Sequence, residues 1–131
     1  MKDLLYDKLT SEIISAFYKV YNDLGYGFLE KVYENALKIE LIKKGLVVEQ
    51  QKPIKVFYES FIVGEYFADL LVNDCIIIEL KASEHLCDEH EAQLINYLKA
   101  TNIEVGLLLN FGRKPEIKRK IFTNDLKIHC K

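Results

Sequence analysis

The chain has 131 residues, half of them apolar and 29% charged, with a formal net charge of −2. That is the composition of one ordinary soluble domain, here residues 1–131, with enough apolar residues to bury a real core, and it excludes a disordered or fibrous chain. No apolar run approaches the roughly 20 residues that span a bilayer, and Met1-Lys-Asp-Leu-Leu-Tyr-Asp-Lys8 lacks the apolar centre of a signal peptide, so a cytoplasmic protein without membrane contact is expected.

Thr10 and Ser11 are placed to cap a first helix, in which Ile13, Ile14, Phe17, Val20, Tyr21 and Leu24 recur at helical spacing up to Gly25. After the turn Gly25-Tyr-Gly27, a second helix from about Leu29 to Lys44 carries the stripe Leu29, Val32, Tyr33, Leu37, Leu41 and Ile42, closed by Gly45. Three stretches of strand character follow. Leu46 to Tyr58 is interrupted by Pro53, which marks an edge or a bulge. Phe61 to Val72 alternates in part, and Cys75 to Ala82 is almost wholly apolar. Turns at Glu59-Ser60 and Asn73-Asp74 make the three an antiparallel meander. A helix from about Asp88 to Ala100 then leads to a short buried strand, Val105 to Asn110, expected parallel to the third through a right-handed crossover. The end of the chain, Arg113 to Lys131, reads as a basic helical turn and a short final strand. The fold class is therefore α/β, a mixed sheet with an antiparallel three-strand meander plus one parallel strand and helices on both faces.

Charge is unevenly spread. From Glu59 to Gln93, nine acids stand against Lys81 alone; from Arg113 to Lys131, seven bases stand against Glu116 and Asp125. An acidic centre with a basic end suits a metal site beside a phosphate-binding surface, but on charge alone a solvated exterior is the better reading.

The chemistry-bearing pattern lies in Cys75-Ile-Ile-Ile-Glu-Leu-Lys-Ala82. Strand side chains alternate, so Glu79 and Lys81 share one face at the end of an apolar strand. Two charges there are costly unless something offsets them. A divalent cation on Asp69 and Glu79, with Lys81 alongside, would do so. The same acid-x-Lys spacing recurs at Glu116-Ile-Lys118 and Asp125-Leu-Lys127, but only the first follows a strand that carries another acid, Asp69. A two-residue Asn73-Asp74 hairpin would put Asp69 and Glu79 on opposite faces. A shared site therefore demands a three-residue loop, a bulge or a kink near Asp69. The cysteines Cys75, Cys87 and Cys130 form no CxxC, and Cys75 reads as a strand residue. His85, Cys87 and His90 match no common metal-ligand spacing.

At this point the sequence resembles the PD-(D/E)xK nuclease superfamily, and within it a group of proteins named for a GxxExxY signature. Gly27-Phe-Leu-Glu30-Lys-Val-Tyr33 matches that signature, and Gly64 to Asp69, Glu79-Leu-Lys81, His90 to Gln93 and Gly106 to Gly112 follow in the expected order. Gln93-Leu-Ile-Asn-Tyr97 is similar to the QxxxY element of RecB-like exonucleases. The resemblance implies a restriction-endonuclease-like core and a metal-dependent nuclease acting on nucleic acid, with DNA the expected substrate. It implies that Asp69 and Glu79, completed by Glu30, hold Mg²⁺ or Mn²⁺. Lys81 would orient or deprotonate water, or stabilise developing charge. Gln93 and Tyr97, at i and i+4 on one helix face, would contact the site or a substrate phosphate. Arg113, Lys114, Lys118, Arg119 and Lys120 would supply phosphate contacts.

Blander roles stand beside these. Glu30 would be favoured by the dipole of a helix start in any case, and Tyr33 and Tyr97 read first as packing residues with satisfied hydroxyls. A second function from another class is a catalytically silent adaptor or complex subunit that keeps the nuclease fold. The intact acid, acid and lysine set favours the enzyme. The small size and modest basicity favour the adaptor, and suggest a homodimer or larger complex as the source of specificity.

Overall fold

A computed structural model describes residues 6–127 of the chain. Two helices come first, α1 (Asp7–Leu24) and α2 (Glu30–Lys43), then the strands β1 (Val48–Tyr58), β2 (Phe61–Val72) and β3 (Ile76–Lys81). Helix α3 (Asp88–Lys99), strands β4 (Val105–Phe111) and β5 (Pro115–Ile121), and a 3-10 turn at Asn124–Leu126 complete the order. The five strands lie in the sequence β1-β2-β3-β4-β5. Only β3 and β4 run parallel; the other neighbours are antiparallel. Among the described residues, no helix is long and apolar enough to cross a membrane.

Each face of the sheet has its own core. Phe17, Tyr33, Leu37 and Leu41 from α1 and α2 pack on Leu70, Ile76, Ile78, Leu80 and Leu109. On the other face, Leu94, Tyr97 and Leu98 of α3 cover Ile54, Ala68, Ile77 and Leu108. The period-two alternation of β3 thus serves both helical layers, which is why this strand is nearly all apolar.

Three elements depart from the sequence expectation. Helix α1 begins before Thr10: Tyr6 occupies the N-cap in a left-handed conformation (φ 55°), and Thr10 is buried inside the helix with no partner for its hydroxyl. Cys75 belongs to the loop before β3, not to the strand. The basic end forms a strand, β5, where a helical turn was expected. Its Ile117 and Ile121 reach the larger core while Glu116, Lys118 and Lys120 face away, so the operative period is two. Cys130 lies outside the described residues.

Two tight places fix the ends of the elements that carry acids. Gly27 has φ 115°, a conformation that side chains disfavour, and it turns the chain into α2. The buried Tyr33 hydroxyl holds that turn, donating to the Gly25 carbonyl at 2.6 Å and accepting from the Phe28 amide at 3.1 Å. At Gly112 a Cβ would meet the Ser83 carbonyl oxygen at 2.3 Å, so the loop leaving β3 packs directly on backbone. Gly112→Ala should therefore cost about 1–3 kcal/mol, the scale of overpacking, and lower the melting temperature by several degrees. Gly106→Ala should cost less, because the nearest atoms its Cβ would meet, from 2.6 Å, belong to the Leu94 side chain and not to backbone. Thermal denaturation of the two variants checks the order.

Candidate active site

Three residues form a row across the sheet. In the β1–β2 register, Gln50 pairs with Leu70 and Lys52 with Ala68, which sets Gln51 across from Asp69. In the β2–β3 register, Leu70 pairs with Ile78, which sets Asp69 across from Glu79. The second alignment exists because the β2–β3 loop has three residues, Asn73, Asp74 and Cys75, with Asn73 and Asp74 both left-handed. The three-residue loop that a shared site demands is present.

The row is also where β1 and β2 exchange faces. Val48 and Leu70 belong to the core under α1 and α2, whereas Ile54 and Ala68, at the same parity, belong to the core under α3. The cause in β1 is Gln51, a non-glycine residue at φ 55°. Such a conformation costs of order 1 kcal/mol and persists where its surroundings hold it. Here they do: the Gln51 amide donates to both oxygens of Glu34, at 3.2 and 3.0 Å, and to Asp69 Oδ1 at 3.3 Å. Pro53, expected to mark an edge or a bulge, lies on an edge strand of the sheet, and the break in β1 falls at Gln51.

Beyond Leu70–Ile78, side chains replace the ladder. The Asp69 amide donates to Glu79 Oε2, and the Leu80 amide donates to Asp69 Oδ2, both at 2.8 Å. Each carboxylate is thus fastened to the other's strand. Glu79 is only 4% exposed. Burial, then the Asp69 charge, push its pKa up to about 8, against the Asp69 amide bond and the Lys81 charge, which favour ionisation. Asp69 is raised as well, chiefly by burial, with Glu34 and Glu30 adding repulsion. Lys81, two residues past Glu79 at the end of β3, is half-buried.

The other expected residues divide around this pair. Glu30 is the exposed first residue of α2. It lines a cavity of about 530 Å³ together with Glu34, Gln51, Asp69 and Ala82. Gln93 and Tyr97 lie on the opposite side, on α3. The Gln93 amide donates to the Tyr97 hydroxyl at 3.0 Å, and burial followed by the charges of Glu79 and Asp69 pushes Tyr97 up to about 12. The basic residues do not form one patch. Lys118 and Lys120 take the α3 side of β5, where Lys120 pairs with Glu91, while Arg119 takes the other face with Ile117 and Ile121. Arg113 and Lys114 sit in the β4–β5 turn, with Arg113 paired to Glu84 at 3.1 Å and stacked over Tyr26. His90 serves its own helix, its Nδ1 accepting from the Cys87 amide at 3.3 Å.

Sequence reasoning missed Glu34, Gln50, Gln51 and Asn110. Glu34 is 3% exposed, one turn after Glu30. It accepts from the Gln50 amide at 2.6 Å and pairs with Lys31 at 3.0 Å. Its i+4 spacing from Glu30 was the available signal. Asn110, fully buried, fastens the loop after Lys81: its Oδ1 accepts from the Ser83 amide at 3.0 Å, and its Nδ2 donates to the Ser83 carbonyl and to Glu116, both at 2.9 Å.

Among the described residues, no three His, Cys, Asp or Glu side chains converge closely enough to hold a metal ion together. The Asp69–Glu79 pair nevertheless has the donor chemistry for a hard divalent cation: carboxylate oxygens held in register, whose ionised forms are disfavoured first by burial and then by neighbouring acids.

The model of the PD-(D/E)XK nuclease superfamily matches residues 7–120, and the chain belongs to that superfamily. Its mixed sheet with a single parallel pair is consistent with the α/β restriction-endonuclease-like fold. Among solved structures, the crystal structure of SSO0001 is similar at 18% identity with a TM-score of 0.49. The alignment covers 92% of this chain and 61% of that one, so the chain spans less than two thirds of that protein's length. No curated protein matches the chain significantly.

The raised Glu79 makes stability pH-dependent with a definite sign. The folded metal-free protein holds a proton that the unfolded chain releases near 4.5, so this contribution is complete below 4.5 and is lost as pH rises through about 8. Asp69 acts in the same direction. Urea midpoints in a chelator should fall across that window, and Glu79→Gln should flatten the fall. An equally steep decline in the variant would assign the titration to another group.

Proposed function

We propose that the chain is a metal-dependent nuclease of the GxxExxY group that hydrolyses phosphodiester bonds in nucleic acid, with DNA the preferred substrate. The observation that carries the reading is the pairing of half-buried Asp69 with buried Glu79, in register across two strands, with Lys81 following on the same face as Glu79. Asp69 and Glu79 would hold Mg²⁺ or Mn²⁺, with Glu34 and Glu30 adding negative charge from α2. The bound ion would supply Lewis acidity and an activated water. Lys81 then has one of two tasks, taking a proton from the attacking water or neutralising charge on the phosphate. Either must be performed beside Glu79, where β3 and the Asn110 clasp on the following loop keep it. Gln93 and Tyr97 would orient the substrate from the α3 side, and Arg113, Lys114, Lys118, Arg119 and Lys120 would contribute longer-range attraction to phosphates. A homodimer or a larger complex would add specificity that so small a domain lacks.

To the small size and modest basicity that favour the adaptor reading, the structure adds that Glu34, the buried acid nearest in chain to Glu30, is engaged by Lys31, Gln50 and Gln51. Two measurements separate the readings. Mg²⁺ or Mn²⁺ should raise the melting temperature by mass action, and Asp69→Asn or Glu79→Gln should abolish that rise. An unchanged response in both variants would place the ion elsewhere.

Lys81→Ala should lower the cleavage rate by at least ~10²-fold, the scale for one acid–base or electrostatic group. Affinity for nucleic acid should change far less. If the wild-type protein cleaves no single-stranded, duplex, branched or RNA substrate with either metal, yet binds one tightly, the adaptor reading prevails.

A further inference from the structure

The Asp69–Glu79 row has a concavity on each side, and the two differ in kind. The one on the α2 side carries Glu30, Glu34 and Asp69. The one on the α3 side is larger, about 860 Å³, and mostly apolar, running between the β1–β2 ribbon and α3. Its walls include Val56, Phe57, Tyr66, Gln93, Tyr97 and Phe122. Tyr97, in the wall of the larger one, packs with Ala68 and Ile77 beside the row, feels the charges of Asp69 and Glu79, and has its ring 5.8 Å from that of Tyr66. The groove exists because of the face exchange at Gln51 and Asp69. Beyond that row the described β2–β3 pairing has ended, and the ribbon turns Tyr66 and Val56 toward α3.

We propose that this groove receives unpaired nucleobases of the substrate strand, so that the protein acts on single-stranded or frayed nucleic acid in preference to continuous duplex. The inference rests on the nuclease reading for the identity of the ligand and on the groove for its form. A phosphate gains nothing from an apolar, aromatic wall, whereas the flat, uncharged face of a base does. Bases inside a duplex are stacked on each other and cannot lie against such a wall; unpaired bases can. A strand whose phosphate sits at the acidic row would bring its neighbouring base toward the exposed ring of Tyr66, behind which Tyr97 is buried. Lys99, which also lines the groove and stacks over Phe122 at 5.6 Å, offers a cation for the backbone of that strand.

The floor of the groove supplies the test. Gly64 lines it, and a Cβ built there would meet only Tyr66 Cε2 at 3.5 Å and Val56 Cβ at 3.9 Å, ordinary contacts. A larger side chain at 64 would fill the groove without displacing backbone. Gly64→Leu, with Gly64→Ala as the milder step and Tyr66→Ala as removal of a ring, would be made in the Lys81→Ala protein to suppress turnover. Fluorescence anisotropy with Mg²⁺ would compare a labelled single-stranded oligonucleotide with its blunt duplex, with melting temperatures as the check on folding. Gly64→Leu and Tyr66→Ala should weaken single-strand binding by about tenfold or more, the value of one base–aromatic stack, with Gly64→Ala intermediate and duplex binding unchanged. Equal losses on both substrates, or none, overturn the proposal. So does a change in sedimentation mass for Gly64→Leu with single-strand affinity intact, which would assign the groove to a second copy of the chain. The two readings fail separately. Cleavage in the Lys81 protein that is indifferent to Gly64 and Tyr66 removes the groove and leaves the nuclease; groove-dependent strand binding without any cleavage removes the nuclease and leaves the groove.

Discussion

Two backbone amides that donate to two carboxylates organise this molecule. Where β2 and β3 would otherwise continue their ladder, Asp69 and Glu79 each take the amide of the opposite strand. The bonds satisfy donors that would be stranded as the strands part, and they hold two carboxyl groups in register in a poorly hydrated place. Neither carboxylate is comfortable there, as the raised Glu79 and Asp69 attest. A fold selected only for stability would put apolar side chains at this row, each contributing about 1.5–3 kcal/mol if fully buried. Perturbed acids that persist in a core strand mark this row as the candidate site.

The surrounding architecture serves that row from several directions. The aromatic stack of Tyr33 on Phe111, at 4.3 Å, ties the start of α2 to the end of β4. The Tyr33 hydroxyl then sets the turn from which Glu30 and Glu34 project. On the other side, Asn110 and Gly112 close the loop behind Lys81. Each of these groups is remote in sequence from Glu79. Their common effect is to fix the strand ends against which the acids and the lysine are aimed.

Much of this was legible in the chain. The apolar run into Glu79, the acid in the preceding strand, and the requirement for a three-residue loop followed from period-two geometry alone. Helices α2 and α3 and strands β2 and β4 announced themselves by hydrophobic spacing. The parts that escaped share a physical reason: they depend on conformation at one residue or on partners brought together by the sheet. Gln51 has no composition cue for a left-handed backbone, and Glu34 looks like any helix-surface acid until β1 lies against it. Strand β5 was obscured by its lysines and arginine, whose charge suggested a wet helical turn while the isoleucines between them kept strand spacing.

The exchange of faces at Gln51 and Asp69 has a consequence for how variation in this chain should be read. Along an uninterrupted strand, tolerance to polar replacement oscillates with a constant phase. Here the oscillation inverts partway along two neighbouring strands, because Val48 and Ile54, like Leu70 and Ala68, share a parity yet supply different cores. A saturation map of β1 and β2 would therefore record a phase slip at one shared latitude. Inserting or deleting a single residue on either side of that latitude would erase the slip, setting every later side chain of the ribbon against the wrong layer.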